Sequence, residues 1–168
     1  MARTHGRSWS EHPPSGQAMA VVMMPSLARP GSRTIHTVAA VVINPKREVL
    51  LVRKHGSGTF IQPGGKPDDG EAPLEALARE LLEELGVELV AGSAIHLGTF
   101  EDLAVNEPGC RVRARAYLVE ILGEPAPRAE IAELAWVPLR GPLPVKVAPL
   151  SAKHILPAAA SSLAIWRS

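Results

Sequence analysis

The most regular hydrophobic pattern in the chain lies between positions 73 and 86 and predicts an amphipathic helix. Pro73 suits the first helical position, and Gly86 is a typical C-terminal stop. Ala72 becomes the N-cap without a capping side chain, whereas Glu75 stands where a capping-box glutamate belongs. Apolar residues at helical spacing predict one stripe that faces a core: Leu74, Leu77, Ala78, Leu81 and Leu85.

Apolar runs on both sides of this helix predict β-strands. Residues 34–43 are almost continuously apolar, as in a central strand, and residues 48–53 predict a second strand antiparallel to the first. Residues 111–121 begin with strict alternation, which predicts a half-buried strand. Residues 150–165 predict a C-terminal helix that Pro157 kinks or divides. Further short strands are predicted at 59–62, 87–90, 95–100 and 134–139. This order predicts an α+β fold with a mixed sheet between helices.

Length and composition suit one domain with a sizeable core, since the chain has 168 residues and is 46% hydrophobic. Residues 1–32 are rich in Pro, Ser, Gly, Arg and His without periodicity, which predicts a disordered or loosely attached tail before a domain at 33–168. The net charge of +1 gives no bulk electrostatic reason to expect nucleic-acid or membrane binding. The single cysteine, Cys110, excludes an internal disulfide and fits a reducing cytoplasm.

Three glutamates, Glu80, Glu83 and Glu84, follow i, i+3 and i+4 spacing on a stripe beside the apolar one. Like charges this close repel each other, and a divalent cation between them removes the repulsion. Mg²⁺ prefers carboxylate oxygens and sites completed by water and substrate phosphate. A solvated acidic helix face is the alternative for such a cluster taken by itself.

The spacing around these glutamates is more specific than the cluster. It runs Gly65, five residues, Glu71, seven residues, Arg79-Glu80-Leu81, one residue, Glu83-Glu84, one residue, Gly86-Val87. This pattern matches the Nudix box at all nine defined positions. A chance match is on the order of one in a billion per start position from average residue usage. The chain therefore resembles Nudix hydrolases over roughly residues 34–157, including the Pro-Gly-Gly turn before the box and the Trp-Val-Pro-Leu strand after it.

The resemblance implies an α/β/α sandwich that hydrolyses a nucleoside diphosphate linked to a group X, with Mg²⁺ as cofactor and Mn²⁺ as a substitute. It assigns metal binding to the three helix glutamates, one of which, or a nearby acid, orients or deprotonates water. The carbonyl of Gly65 is a further ligand, and Glu71 is a weaker ligand or supports one. Arg79 is expected to hold a box glutamate in place; a surface pair with Glu83 is the equally weighted alternative.

Residues outside the box give weaker predictions about the substrate. Arg53 ends a strand before the Pro-Gly-Gly turn and is a candidate phosphate contact, against an ordinary strand-end charge. Phe60 is a candidate for stacking on a base, although a core role is favoured for it and for Trp136. Three arginines on one strand face form either a basic surface toward an anionic substrate or an ordinary exposed face: Arg111, Arg113 and Arg115.

A further acid from a later segment is expected at the site, and spacing does not select it. Glu130 and Glu133, just before the last strand, are the preferred pair. The other candidates are Glu101, Asp102, Glu107, Glu120 and Glu124.

The function predicted first is hydrolysis of a nucleoside triphosphate, oxidised or non-standard bases included, to the monophosphate and pyrophosphate. ADP-ribose, a nucleotide sugar or a dinucleoside polyphosphate is the alternative substrate, and a non-catalytic Nudix-fold sensor is the alternative class. The expected partner is a small nucleotide, without nucleic acid or membrane, for a cytoplasmic monomer or homodimer.

Overall fold

The computed structural model describes residues 33–165 of the chain, with side chains as far as residue 164. The predicted tail at residues 1–32 lies outside this range. The strands are β1 Thr34–Val41, β2 Glu48–Lys54, β3 Gly64–Gly65, β4 Glu88–Leu89, β5 Ile95–Leu103, β6 Arg111–Leu118, β7 Ile121–Leu122 and β8 Ile131–Pro138. The helices are α1 Pro73–Leu85 and α2 Leu156–Ile165, with a π-helical turn, Ser151–Ile155, directly before α2.

The main sheet is mixed, as predicted, with the strand order β3-β1-β6-β5. Strand β1 runs parallel to β6 along its whole length and antiparallel to β3, while β5 and β6 are antiparallel. Two further pairs, β2 with β8 and β4 with β7, are antiparallel. The predicted antiparallel course of β2 relative to β1 is confirmed at the connecting turn, where Ile43 and Val49 form an antiparallel bridge and the Leu50 N–H donates to the Val42 carbonyl at 3.0 Å. Along its length, β2 takes β8 as its partner.

Alternate residues of β1 and β2 belong to two separate core clusters, one on each face. Val38 and Leu50 pack in the first cluster with the buried side of α1, and Val41 and Leu51 pack in the second with α2. This arrangement confirms the α/β/α sandwich. Neither helix, nor any other in the described part of the chain, is long and apolar enough to cross a membrane.

Helix α1 begins and ends where the sequence predicted. Pro73 is its first residue, the Ala72 amide donates to the Glu75 carboxylate at 3.2 Å, and Gly86 is the C-cap with φ of 68°. The predicted core stripe was wrong at Leu74, which is 41% exposed. This residue lies in the first turn, and fully buried Ala76 occupies the core position instead.

The C-terminal helix is divided as predicted. Leu156 donates its backbone N–H to the Ser151 carbonyl, which is a π-helical bond between residues five positions apart. Pro157 has no N–H and therefore cannot form the α-helical hydrogen bond to the carbonyl four residues before it. The core role expected for Trp136 was wrong, since this residue of β8 is 36% exposed.

Candidate active site

The adjacent glycines of β3 form the base of the candidate site, because only residues without a side chain fit there. Gly64 has φ of 140°, and a Cβ on it overlaps the Val38 carbonyl oxygen and lies 3.0 Å from the Val38 carbonyl carbon. A Cβ on Gly65 lies 2.5 Å from the carboxylate carbon of Glu80. The glycines therefore let the backbone of β3 approach both β1 and the acidic face of α1.

Glu84 is held against the first glycine in a nearly dry environment. Its residue exposure is 1%, and one carboxylate oxygen accepts the Gly64 N–H at 3.0 Å. The other oxygen is buried and has no hydrogen-bond partner among the residues that the structure describes. Burial raises the pKa of Glu84 to about 8, although the Gly64 N–H and the Lys54 charge oppose the shift.

Glu80 lies against the second glycine. Its side chain is 12% exposed, and one oxygen accepts Arg79 Nη1–H at 2.9 Å. Burial raises the pKa of this carboxyl despite the bond from Arg79. Two partly desolvated carboxylates from one helix face thus meet the backbone at adjacent positions of β3, where added positive charge stabilises both ionised forms.

Arg79 joins the loop before α1 to the helix itself. Its Nε and Nη2 donate to the two oxygens of Glu71, both at 2.8 Å, and Nη2 also donates to the Lys66 carbonyl at 3.1 Å. The bonds from Arg79 lower the pKa of Glu71 to about 2. Glu83 is a longer contact, 3.6 Å from Nη1, and its side chain is 56% exposed. The geometry matches a positioning role for Arg79 better than a surface pair with Glu83.

The donor set fits a hard divalent cation, although no three His, Cys, Asp or Glu side chains within residues 33–165 are clustered tightly enough for a ready-made metal site. Mg²⁺ characteristically takes one or two carboxylates and completes its shell with water and substrate phosphate. The unpartnered buried oxygen of Glu84 and the desolvated carboxylate of Glu80 supply such ligands. The Gly65 carbonyl lies on the backbone that both approach.

A cavity of about 490 Å³ is lined by Glu80 together with Gly64 and Gly65. Of the two later acids preferred from the sequence, Glu130 lines the cavity. Its carboxylate accepts a hydrogen bond from the Lys54 ammonium at 2.7 Å. Burial by itself lowers the pKa of Lys54. The hydrogen bond to Glu130 and the charges of the nearby carboxylates outweigh this effect, so the pKa is raised. The second acid, Glu133, accepts both Nε–H and Nη2–H of Arg53, at 3.0 and 2.9 Å, and does not line the cavity.

The remaining substrate candidates lie at different depths. Phe60 is 5% exposed within the second core cluster, and the Arg53 guanidinium lies 6.0 Å from its ring centre. Arg111 pairs with Glu101. Arg113 and Arg115 instead line a second cavity of about 420 Å³ and form no ion pair within the described range. The same cavity contains Glu71, so the free arginines are next to the loop that precedes α1.

Two buried polar residues of the first cavity were missed by sequence reasoning. Gln62 and Ser151 are 5% and 2% exposed, and the serine hydroxyl donates to the glutamine side-chain carbonyl. Gln62 directly precedes the Pro-Gly-Gly turn, and that position was the only available signal.

Comparisons with known proteins give a family match and related folds. The NUDIX domain model matches residues 33–158. A protein of Haemophilus influenzae named 8-oxo-dGTP diphosphatase is 34% identical over 110 residues, which are 62% of this chain and 76% of that protein. A Mycobacterium tuberculosis relative is 41% identical over 93 residues, 49% of this chain, and the match spans 63% of that relative's length. The solution structure of the E. coli ORF135 protein superimposes with a TM-score of 0.63 at 27% identity, covering 80% of this chain and 94% of that one.

Proposed function

The chain belongs to the Nudix family, and from this premise we propose that it is a Mg²⁺-dependent pyrophosphohydrolase. The substrate is a nucleoside triphosphate, including forms with an oxidised base, and the products are the nucleoside monophosphate and pyrophosphate. The name of the Haemophilus influenzae relative, 8-oxo-dGTP diphosphatase, supports this substrate class. The domain extends over residues 33–168, the protein is cytoplasmic, and it acts as a monomer or homodimer.

One observation carries the proposal: two desolvated glutamates of α1 meet the adjacent glycines that line a cavity large enough for a nucleotide. Glu80 and Glu84 are 12% and 1% exposed, and the cavity lined by Glu80 and the two glycines is about 490 Å³. A solvated acidic helix face does not bury its carboxylates, because each burial is costly without a cation or another partner. The unpartnered oxygen of Glu84 supports a role in binding rather than in folding.

The residues of the site have different roles in binding the cation. Glu80, Glu84 and the more exposed Glu83 hold the cation, together with the Gly65 carbonyl. When bound, the cation neutralises diphosphate charge and acidifies a water molecule. Arg79 fixes Glu80 and Glu71 through its guanidinium, so the ligands do not have to be ordered when substrate arrives.

Two further residues, Glu130 in the first cavity and Arg113 in the second, have roles with the substrate. Glu130 accepts from Lys54 in the cavity wall and is the candidate to orient or deprotonate the attacking water. Arg113, without an ion-pair partner in the described range, is available for phosphate.

The test is a panel of nucleoside triphosphates, ADP-ribose, a nucleotide sugar and a dinucleoside polyphosphate with Mg²⁺ or Mn²⁺. The expected result is monophosphate and pyrophosphate from a triphosphate. Glu84→Gln keeps the side-chain volume but removes the charge, so we expect kcat/KM to fall at least about 100-fold. Glu88→Gln, an exposed change outside the box, is the matched control and keeps full activity.

Three results contradict the proposal in different ways. Full activity in Glu84→Gln removes the catalytic assignment. Turnover confined to ADP-ribose or a sugar nucleotide replaces the substrate class. Metal binding without turnover of any compound identifies a Nudix-fold sensor instead of an enzyme.

A further inference from the structure

Gln62 presents an unsatisfied hydrogen-bond donor to the first cavity. The residue is 5% exposed, it lines the cavity, and its side-chain nitrogen Nε2 is buried with no partner among residues 33–165. Buried polar atoms are almost always paired in folded proteins, so an exception requires an explanation. A ligand that accepts this hydrogen bond when it occupies the cavity is such an explanation.

Ser151 fixes which end of the glutamine amide is free. Its hydroxyl donates to Gln62 Oε1, so the carbonyl end is occupied and the NH₂ end remains. Ser151 is itself 2% exposed and begins the π-helical turn, whose backbone bond from Leu156 holds it in place. The amide therefore offers both hydrogens of its NH₂ group, while its carbonyl oxygen already accepts one hydrogen bond.

Backbone pairing keeps these two residues together although 89 positions separate them. Phe60 donates to the Lys146 carbonyl at 2.8 Å and accepts from the Ala148 N–H at 2.9 Å. This bridge joins the segment before Gln62 to the segment before Ser151. The donor is thus preorganised rather than carried on a free side chain.

The cavity lining has two chemical parts. One part is charged and includes Glu80, Glu130 and Lys54 beside the glycines of β3. The other part is apolar, with Gln62 and Ser151 as its buried polar members: Ile35, Ala39, Ala114, Ala148, Leu150 and Ile155. A flat apolar ring system with one acceptor fits the second part, and a phosphate chain fits the first.

We propose that Gln62 is a specificity-determining residue that donates its Nε2–H to a carbonyl oxygen of the nucleobase. This inference rests on the proposed nucleotide site. Guanine, cytosine, uracil and thymine, and their oxidised forms, carry an exocyclic carbonyl oxygen. Adenine has no exocyclic carbonyl, and its ring acceptors N1 and N7 lie next to the amino group, whose hydrogens face those of the Gln62 amide. A site built for a substrate acceptor discriminates strongly against a ligand that leaves its donor unpaired. The structure thus assigns a preference for carbonyl-bearing bases over adenine.

The experiment measures equilibrium binding of GMP, UMP and AMP to the full chain by calorimetry, with Mg²⁺ and with chelator. Monophosphates are used because their binding does not depend on hydrolysis. The base preference can therefore be measured even if the protein does not have the proposed enzyme activity. The wild type should bind GMP and UMP at least about tenfold more tightly than AMP. Gln62→Met, of similar volume but without a donor, should lose this preference by weaker GMP and UMP binding, with AMP unchanged or tighter.

A second variant separates recognition from folding. Ser151→Ala leaves Gln62 in place but frees its carbonyl end, so the preference should shrink without disappearing. Ser161→Ala, an exposed serine of α2, is the matched control and should bind as the wild type does. If Gln62→Met does not fold, the base preference of Ser151→Ala decides whether the Gln62 amide recognises the base.

The proposal is overturned by any of three outcomes. These are equal affinities for the three monophosphates in the wild type, an unchanged preference in both cavity variants, and no binding of any of them at millimolar concentration.

Discussion

Gly64 supports both the fold and the site, so replacing it with alanine tests the packing of β3. Its φ of 140° is a conformation that residues with side chains rarely adopt, and its Cβ overlaps the Val38 carbonyl oxygen of β1. Gly70 is the matched control because its φ of 78° is also positive, yet a Cβ there has no atom within 4 Å. The pair separates backbone strain from steric overlap.

The expected magnitudes follow from these two terms. Gly70→Ala bears the conformational strain alone, which costs about 1–2 kcal/mol for a side chain at positive φ. Gly64→Ala bears roughly 1–3 kcal/mol of strain and a further 1–3 kcal/mol for overlap with backbone that cannot rotate away. We therefore expect about 4 kcal/mol of destabilisation for Gly64→Ala. In a chain of 168 residues this lowers Tm by about 8–16 °C, against about 2–8 °C for the control.

Thermal unfolding followed by circular dichroism, in the presence of chelator, measures the two variants against the wild type. Chelator is needed because a bound cation stabilises the folded state and would reduce the difference. Equal losses of Tm in Gly64→Ala and Gly70→Ala refute the close approach of β3 to β1. Loss of the Gly64 N–H geometry should also lower activity, since this N–H is the sole hydrogen-bond donor to Glu84 in the described residues.

Other variants separate stability from activity in the same region. In Gly65→Ala the new methyl group meets only the tip of the Glu80 side chain, which can move. Activity should therefore fall at least about tenfold while Tm changes by only a few degrees. A Tm loss equal to that of Gly64→Ala contradicts this prediction. Arg79→Lys cannot bond both oxygens of Glu71, so kcat/KM should fall about 10–100-fold and a higher Mg²⁺ concentration should be needed for half-maximal activity. An unchanged Mg²⁺ requirement excludes the positioning role.

Local pattern predicted α1 and β6 well because both depend on residues near each other in sequence. The ends of α1 follow from Pro73 and Gly86, and the alternation of β6 follows from exposed arginines beside buried alanines. Strand pairing was less predictable. The short turn after β1 predicted an antiparallel second strand and is bridged as expected, but along its length β2 pairs with β8, 77 to 90 positions later, and the local sequence does not indicate that partner.

In the candidate site too, residues on one local segment were predictable and residues from distant segments were not. The box glutamates are on one helix, so their spacing predicted a common face, and the structure places Glu80 and Glu84 on adjacent glycines. The later acids could not be ranked from spacing. Glu130 and Glu133 differ by three positions, yet only Glu130, paired with Lys54, lines the cavity, whereas Glu133 pairs with Arg53.

Chemistry and selectivity therefore depend on different kinds of sequence information. The residues proposed to bind the cation come from one continuous segment, in which spacing is the constraint, so a pattern of nine positions is enough to recognise them. Gln62 and Ser151 meet only because the Phe60 bridge joins two distant segments, and neither residue type is unusual at its position. A change at either residue leaves the box intact. Under the role proposed for Gln62, a family member can keep the box residues while the base that it accepts changes through such a buried pair, so box spacing alone does not predict the substrate.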